Sequence, residues 1–232
     1  MTAPSRSHKA RGPWITALIV IAIGLSFYIE SQQPQAAQAP RPSPTPAEPA
    51  SKLEKIGGYE VYRNCTLAEA RNNDGDSFMV RLPGGKQSEF RLYFVDTPES
   101  AFKSYPGGDT NHERIRQQAA EMGRITPEQV VEIGKVGKRY TLQLLASKPF
   151  TIYTRWDSPF HDDRYHAHVE VPFDRSTCWL DEYLIERGLA RIKTKPADMP
   201  DGTPAAEHLA QLRDLERAAK QAKRGVWSFQ TK

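Results

Sequence analysis

The sequence is poor in cysteine, in internal repetition and in net charge. Its only cysteines, Cys65 and Cys178, can form at most one intramolecular disulfide, which excludes a disulfide-rich scaffold. No internal repeat is visible, so a repeat architecture is excluded as well. Residues 1–52 hold five of the 32 basic residues and two of the 28 acidic ones, which leaves 27 against 26 in residues 53–232. The basic excess therefore lies mostly in the tail, and a phosphate-binding surface would have to come from local clustering.

Acidic residues are also missing from residues 1–12, a basic flank that precedes an apolar segment at 13–30. The apolar run 14-WITALIVIAIGLSFYI-29 has sixteen residues. As a helix it would be about 24 Å long, somewhat short of the ~20 residues usual for a full crossing. It predicts either a membrane anchor or a signal segment, and the basic flank orients the N-terminus towards the cytoplasm.

A cleavage site is hard to find near this apolar segment. The only A-x-A candidate, Ala37-Gln38-Ala39, lies well beyond it and is followed by Pro40, which favours an uncleaved anchor. Residues 31–52 contain six prolines and little apolar surface. They predict a Pro/Ala-rich, semi-rigid linker that spans roughly 60–70 Å at most.

Residues 53–232 predict one domain of α+β class built on a small barrel, because strands come first and helices are interleaved late. Apolar alternation and turn residues predict short strands at 58–64, 66–71, 77–82, 89–95, 150–156 and 166–171. Capping residues, apolar spacing and terminal glycines predict helices at about 127–147, 178–187 and 204–224, the first of them with a capping box formed by Thr126 and Gln129.

Carboxylates lie where two of these strands are expected to begin or end. Asp74 and Asp76 precede one strand, and Asp96 follows another, with Glu99 close behind it. Alternation puts Phe90, Leu92 and Phe94 on one face of their strand. Arg91 lies on the other face with Tyr93 and Val95, so we expect it to be partly buried and to need an anion. Taken singly, each of these motifs is typical of a solvated turn or an ordinary helix start.

Taken together, the same residues suggest a site for a hard cation. The carboxylates of Asp76 and Asp96, the backbone carbonyl of Thr97 and water are oxygen donors that suit Ca²⁺. Glu99 beside them could orient or deprotonate a water, and Arg91 could neutralise a phosphate. This combination is the chemistry of phosphodiester hydrolysis.

These motifs, in type and separation, resemble those of the staphylococcal nuclease-like (thermonuclease) domain family. The matching stretches are 74-DGDS-77, 90-FRL-92, 95-VDTPE-99, 179-WLDEYLIERGLARI-192 and 225-GVWS-228. An insertion at about 101–126 interrupts the likeness, and it would either form a lid over the site or pack beside it.

The resemblance implies an OB-fold, five-stranded β-barrel with about three packed helices, Ca²⁺ as cofactor, and DNA or RNA as substrate. It assigns Asp76, Asp96 and the Thr97 carbonyl to the metal. It assigns Arg91 to the phosphate and Glu99 to the attacking water. Asp74 is a candidate for supporting the metal-binding carboxylates without touching the ion.

The sequence departs from the family at one catalytic position. The family carries a second arginine in a Tyr-Gly-Arg triplet, and this chain has Tyr165-His166-Ala167 there. Arg164-Tyr165 is similar to a Lys-Tyr pair with which the family contacts phosphate, and Arg164 and His168 are the nearest cations. We therefore expect Arg164, Tyr165 and His168 to bind substrate.

The same region offers a second interpretation. His161, Asp162, Asp163, His166 and His168 lie within eight residues, and two histidines on one face of a strand could bind a transition metal. Polar residues on a loop and an exposed strand are the more ordinary explanation, and phosphate contact is the third.

Two further groups of residues leave alternatives open. An extracytoplasmic location would let Cys65 and Cys178 form a disulfide, whereas two buried free thiols are the other option. Basic residues also cluster near the end of the domain, at Arg187, Arg191, Lys193 and Lys195. We expect this cluster to be a solvated rim that helps to hold a phosphate backbone.

The sequence thus predicts an exported or membrane-tethered nuclease acting on DNA, RNA or both, with no protein partner. The first alternative is a catalytically weak OB-fold module that binds single-stranded nucleic acid. The second is a surface scaffold or partner-binding protein. The carboxylates and Glu99 favour the enzyme, since a binding module does not require them.

We expect residues 14–29 to direct the chain across a membrane and to leave residues 53–232 outside the cytoplasm, because the charge asymmetry sets that orientation. A reporter that is active only in the cytoplasm, fused to the C-terminus, should give no signal. The same fusion without residues 1–30 should give a strong one. A strong signal from the full chain would contradict the predicted location.

Overall fold

The computed structural model describes residues 54–159 and 162–229. The basic flank, the apolar segment and the linker predicted for residues 1–52 lie outside the described residues. Within the described ranges, no helix is long and apolar enough to cross a membrane.

Nine strands occur in the described residues, and five of them close into a barrel. The strands are β1 Glu54–Ile56, β2 Tyr59–Leu67, β3 Ser77–Arg81, β4 Gln87–Leu92, β5 Val95–Asp96, β6 Phe150–Thr154, β7 Arg164–Phe173, β8 Ser176–Trp179 and β9 Arg191–Ile192. The barrel order is β2-β3-β4-β7-β6, closed by pairing of β6 with β2. All its pairs are antiparallel except β4 with β7. The predicted α+β class and five-stranded OB-fold barrel are confirmed.

Alternation along the strands places the apolar residues inside this barrel. Successive side chains of a strand point to opposite faces. Phe90 and Leu92 of β4 are fully buried on one face, whereas Arg91 between them is only partly buried. This alternation fills the barrel with aromatic and branched side chains and turns Arg91 outward, towards the site.

Four α-helices and one 3₁₀ turn complete the described part of the chain. They are α1 His112–Glu121, α2 Pro127–Ser147, α3 Leu180–Glu186, α4 Ala205–Gln221 and the 3₁₀ turn Gly225–Phe229. Helices α2, α3 and α4 are the three predicted from sequence. Helix α2 begins with the expected capping box, in which Thr126 and Gln129 bond each other's backbone N–H groups. Helix α1 lies in the 101–126 insertion and was not predicted.

Two predicted strands end three or more residues earlier than expected. The run 66–71 contributes only its first two residues to β2, because the side chain of Asn73 takes over the backbone partners that follow. Asn73 donates to the Ala68 carbonyl and accepts from the Met79 N–H, each at 2.8 Å. The run 89–95 breaks after Leu92, where Phe94 adopts a positive φ of 64° and turns the chain into β5.

Both cysteines are free thiols, so the disulfide is not formed. Cys65 in β2 pairs with Phe150 of β6, and Cys178 in β8 pairs with Val171 of β7. Strands β6 and β7 therefore lie between the two cysteines. Three inter-strand spacings put the thiols roughly 14 Å apart along the sheet. A disulfide requires Cα atoms about 4.4–6.8 Å apart, so the free-thiol alternative holds.

Helix α2 supports the loop that follows β5. A Cβ atom at Gly134 would lie 2.2 Å from the Glu99 carbonyl oxygen and 2.6 Å from that of Pro98. Glycine at this helical position therefore lets the loop pack directly on the helix backbone.

Gly134→Ala should destabilise the protein by about 1–3 kcal/mol, because the added methyl must push the Glu99 loop away from α2. The matched control is Gly137→Ala on the same helix, where the nearest atom would be 3.3 Å away. Urea unfolding of both variants measures the difference. Equal stabilities would show that the loop yields without cost.

Candidate active site

Three residues selected from the sequence converge at one end of the barrel. Arg91 projects from β4 and pairs there with Ser77 at the start of β3, which places it beside Asp76. Its Nη2 atom donates to Asp76 Oδ2 at 2.9 Å and to Asp96 Oδ1 at 2.8 Å. Arg91 thus bridges the two carboxylates, and the anion that its partial burial required is supplied by them.

Asp96 is held by two further arginines and an amide. Arg114 Nη2 donates to Asp96 Oδ1 at 2.7 Å, and Arg191 Nε donates to Oδ2 at 2.8 Å. Gln118 Nε2 also donates to Oδ2, at 3.1 Å. Burial alone would raise the pKa of Asp96, but the surrounding guanidinium groups outweigh burial and hold this pKa below its usual range.

Asp76 is in a different electrostatic environment. It is as well buried as Asp96, but Arg91 is the one arginine that bonds it within the described chain. Burial raises the pKa of the Asp76 carboxyl, Arg91 opposes the shift only in part, and the nearby Asp96 adds to it. The negative charge of Asp76 is therefore the less well compensated of the two.

Glu99 faces the insertion. Its carboxylate accepts from Asn111 Nδ2 at 3.0 Å and forms an ion pair with Arg114 Nε at 3.1 Å. Its backbone N–H donates to Gln118 Oε1 at 2.9 Å. Lys103 Nζ lies 3.6 Å from the carboxylate. Arg114 therefore contacts both Glu99 and Asp96.

Asp74 and Gly75 bring two loops together. Asp74 accepts from the Gly75 N–H at 2.9 Å and from Ser100 Oγ at 3.3 Å, so it joins the 74–77 loop to the loop after β5. A Cβ atom at Gly75 would lie 2.7 Å from Thr97 Oγ1. Asp74 thus supports the site by joining the two loops. Glycine at position 75 lets the Thr97 side chain lie close against the backbone.

The oxygen donors fit a hard cation in their chemistry. Asp76 and Asp96 direct one oxygen each at the same point, which is filled by the cationic Nη2 of Arg91. The Thr97 carbonyl, the third predicted donor, accepts from Gln118 Nε2 at 3.2 Å. In residues 54–159 and 162–229, no group of three or more His, Cys, Asp or Glu side chains is placed to hold a metal. The predicted set has two carboxylates, and it would need Arg91 to turn away.

Two cavities meet at the arginines. One, of about 620 Å³, is lined by Arg91, Arg114, Arg164, Arg191, Lys193 and Lys195, with Asp96 as its acid. The other, of about 470 Å³, is lined by five acids, namely Asp74, Asp76, Glu89, Glu99 and Asp162. Arg91, Arg114 and Arg164 line both. The wall between a cationic cavity and an acidic one therefore consists of guanidinium groups.

The sequence profile of staphylococcal nuclease homologues matches residues 89–229, which is more than half of the chain. The chain belongs to this family. No curated protein matches the sequence significantly. The part of the chain that matches the family profile contains Arg91, Asp96, Thr97 and Glu99. It begins after Asp76, so the assignment of that carboxylate rests on the geometry.

Ala167 of strand β7, which stands where the family has its second arginine, does not face the site. Arg91 pairs with His166, and Leu92 pairs with Ala167. Ala167 therefore shares the inward face of the sheet with Leu92 and is fully buried. Tyr165 also lies on that face, where its ring packs against Phe90 and Trp156. The Tyr165 ring therefore does not line either of the two cavities, and its contact with substrate stays a prediction without support from its position.

His168 is not a substrate-binding cation either. It is 3% exposed, and its ring packs between Tyr59 and Tyr93. Its Nε2 lies 3.2 Å from the Tyr59 hydroxyl and 3.2 Å from the Asp198 carbonyl. Burial lowers the pKa of His168 to about 4, so the ring is neutral near pH 7. The prediction is corrected because a buried, uncharged ring cannot contact a phosphate in the cavity.

The transition-metal interpretation finds no support in the described part of β7. His166 and His168 share one face, as predicted, but both are buried among aromatic rings. Asp162 is bonded by Arg164 Nε at 2.8 Å, and His161 lies outside the described residues. Arg164 itself lines both cavities, and its contact with substrate stays a prediction.

Three residues of the site were not singled out from the sequence: Asn111, Arg114 and Gln118. All three lie in or next to α1, inside the insertion. A possible signal was their i, i+3 or i+4 spacing, which places them on one face of a helix. Arg191 was expected on a solvated rim, and this is wrong. Its side chain is 9% exposed, because pairing of β9 with β5 sets it directly opposite Asp96.

The buried, neutral His168 should make the protein less stable in acid. Unfolded His168 takes up a proton below about pH 6.5, whereas the folded ring resists protonation until about pH 4. Stability is therefore present above pH 6.5 and lost as the pH falls through this window, by about 2 kcal/mol between pH 7.5 and pH 5.

Urea unfolding at both pH values, compared with His168→Gln, isolates this contribution. The variant should lose less stability on acidification than the wild type does. His112→Gln, at an exposed position, is the control and should keep the wild-type slope. Identical slopes for wild type and His168→Gln would refute the assignment.

Proposed function

We propose that this protein is a Ca²⁺-dependent nuclease that hydrolyses phosphodiester bonds in DNA, RNA or both. Family membership supports a nuclease-type hydrolase. The observation that carries the proposal is the convergence of Asp76, Arg91 and Asp96 at the wall between an acidic and a cationic cavity. A phosphodiester needs both kinds of surface, since its own charge must be neutralised while water and leaving group are handled by acids and bases.

The cationic cavity suits the sugar-phosphate backbone. Lys193 and Lys195 stand at its edge, about half exposed, and their partners Glu121 and Asp157 are exposed or partly buried carboxylates. Such surface pairs contribute little to stability, so they exchange readily for phosphate. Arg164 extends the same surface towards the acidic cavity.

Arg91 is the group that exchanges partners. Without substrate its Nη2 neutralises Asp76 and Asp96. A phosphate in the cavity offers oxygens that a guanidinium binds in the same planar geometry. Asp76 then loses its arginine partner and Asp96 loses one of its three, so that both carboxylates can offer an oxygen to a cation.

Asp76, Asp96 and the Thr97 carbonyl are the donors that would hold Ca²⁺. The ion would supply Lewis-acid polarisation of a phosphoryl oxygen. Asp74 keeps these donors in place by joining the two loops that carry them.

Glu99 is the candidate for orienting the attacking water. It lines the acidic cavity, and Asn111 fixes one of its oxygens. The anchoring of its backbone N–H by Gln118 limits its movement. A carboxylate held in this way can accept a proton from water without losing its position.

We further propose that the enzyme works outside the cytoplasm, either tethered to a membrane or exported. The basic flank and the apolar segment at 13–30 support this location. Nucleic acid released into the surroundings would then be the accessible substrate.

We expect the wild type to cleave plasmid DNA, single-stranded DNA or RNA in the presence of Ca²⁺. Cleavage should stop when a chelator is added in excess. Asp76→Ala, Arg91→Ala and Glu99→Ala should each lower kcat/KM by at least about 10²-fold, because each removes a contact to the reacting groups. Arg164→Ala should weaken cleavage several-fold. Glu132→Ala and Arg217→Ala, both exposed and away from the cavities, serve as matched controls.

Full activity in chelator, or an Arg91→Ala variant as active as the wild type, would overturn the proposed site. A wild type that binds single-stranded oligonucleotides but leaves them intact under every metal would support the binding module instead.

A further inference from the structure

The proposed reaction requires more positive charge than Arg91 supplies. In phosphodiester hydrolysis the transition state carries more charge on the phosphoryl oxygens than the ground state does. Donors aimed at these oxygens lower the barrier. Arg91 is one such donor, and a second guanidinium must come from another element or be absent.

Strand β7 does not bring its one arginine, Arg164, to Asp96. Ala167 is fully buried inside the barrel, opposite Leu92. His166 is the residue of β7 that faces the cationic cavity, but burial lowers its pKa and keeps it uncharged at neutral pH. Arg164 lines both cavities, but its guanidinium bonds Asp162, whereas that of Arg91 bonds Asp76 and Asp96.

Helix α1 brings a guanidinium to that place. Arg114 lies in its first turn and donates from Nη2 to Asp96 Oδ1 at 2.7 Å. Arg91 donates from Nη2 to the same oxygen at 2.8 Å. The two nitrogens are thus within about 5.5 Å of each other, a separation that lets both groups bond oxygens of one phosphate.

Arg114 is also free enough to reach a substrate. Its side chain is 44% exposed and lines both cavities. Arg191, the third arginine on Asp96, is 9% exposed, and its Nε, Nη1 and Nη2 atoms are all used on Asp96 and Glu121. Arg191 therefore fixes Asp96, whereas Arg114 can change partners.

The helix that carries Arg114 is anchored to the catalytic loop. Gln118 is fully buried and bonds the Glu99 N–H, the Asp96 carboxylate and the Thr97 carbonyl. Asn111, at the start of the helix, bonds Glu99 and the Ala101 carbonyl. Ile115 on the same helix is fully buried in the hydrophobic core. Arg114 is thus held in register with Asp96 and Glu99.

We propose that Arg114 is the second catalytic arginine, which contacts the scissile phosphate together with Arg91. The inserted helix thereby supplies, beside Asp96, a charge that the buried Ala167 of strand β7 cannot supply. This inference rests on the proposed nuclease function. The substrate phosphate replaces the carboxylate partners of both arginines at once.

Arg114→Ala should lower kcat by about 10²–10³-fold, as expected when a donor to the transition state is removed, and should change KM by less than about 3-fold. Arg114→Lys should recover part of kcat, since it restores a charge but not the planar guanidinium. Added guanidinium ion, at concentrations that leave the fold intact, should raise the rate of Arg114→Ala.

Arg116→Ala is the matched control, two residues further along α1. Arg116 is 60% exposed and pairs with Glu113 alone within the described chain, so its removal should leave kcat unchanged and guanidinium without effect. Urea midpoints of all variants separate loss of catalysis from loss of folding. If Arg114→Ala is unstable, the kcat of Arg114→Lys and the rescue by guanidinium decide.

The outcomes distinguish the two proposals. A wild type without metal-dependent cleavage overturns both. Cleavage by the wild type with an equal kcat in Arg114→Ala overturns the role of Arg114 alone. A kcat above that of the wild type does so too, because it would mean that Arg114 only competes with the metal for Asp96.

Discussion

The site depends on one buried carboxylate, Asp96, and on the arginines that surround it. Arg91 comes from the barrel, Arg114 from the insertion and Arg191 from the segment after α3, so a single side chain joins three distant parts of the sequence. Leaving a buried charge without its partners typically costs about 3–5 kcal/mol. The mutual placement of barrel, inserted helix and β9 therefore follows largely from the need to neutralise Asp96.

The same arrangement holds the carboxylates and guanidinium groups of the proposed reaction in place before substrate binds. In the absence of substrate, acids and arginines neutralise each other, which avoids the repulsion that would arise among Asp76, Asp96 and Glu99 alone. In the proposed complex the two carboxylates balance the two positive charges of Ca²⁺, and the phosphate charge takes their place beside the arginines. Binding both can therefore exchange one set of ion pairs for another without leaving a buried charge uncompensated.

Sequence reasoning predicted the parts of the protein that are governed by local physics. Apolar alternation located Phe90 and Leu92 inside the barrel and Arg91 outside it, and the capping box at Thr126 located the start of α2. The sequence also predicted that Asp76 and Asp96 contribute to one site, because both lie at the ends of neighbouring strands. These features depend on neighbours in the chain or on the pleat of a strand.

The errors concern long-range packing. Nothing near His168 in the sequence reveals that Tyr59 and Asp198 enclose it, and the pairing that buries Arg191 joins segments 95 residues apart. The face of the sheet on which Tyr165 and Ala167 lie likewise depends on the register of β7 against β4. A shift of one residue in a strand reverses every side chain, so motif spacing alone could not assign these positions.

The parallel pairing of β4 with β7 has a consequence for how the protein could have changed. Parallel neighbours need a long connection, since the chain must return to the starting end of the sheet before the second strand begins. Here that connection contains α1, α2 and β6. Added length in such a crossover leaves the barrel register untouched. A new helix can therefore enter there and bring its own side chains to the rim, so that the barrel is retained while the chemistry at its edge is rebuilt.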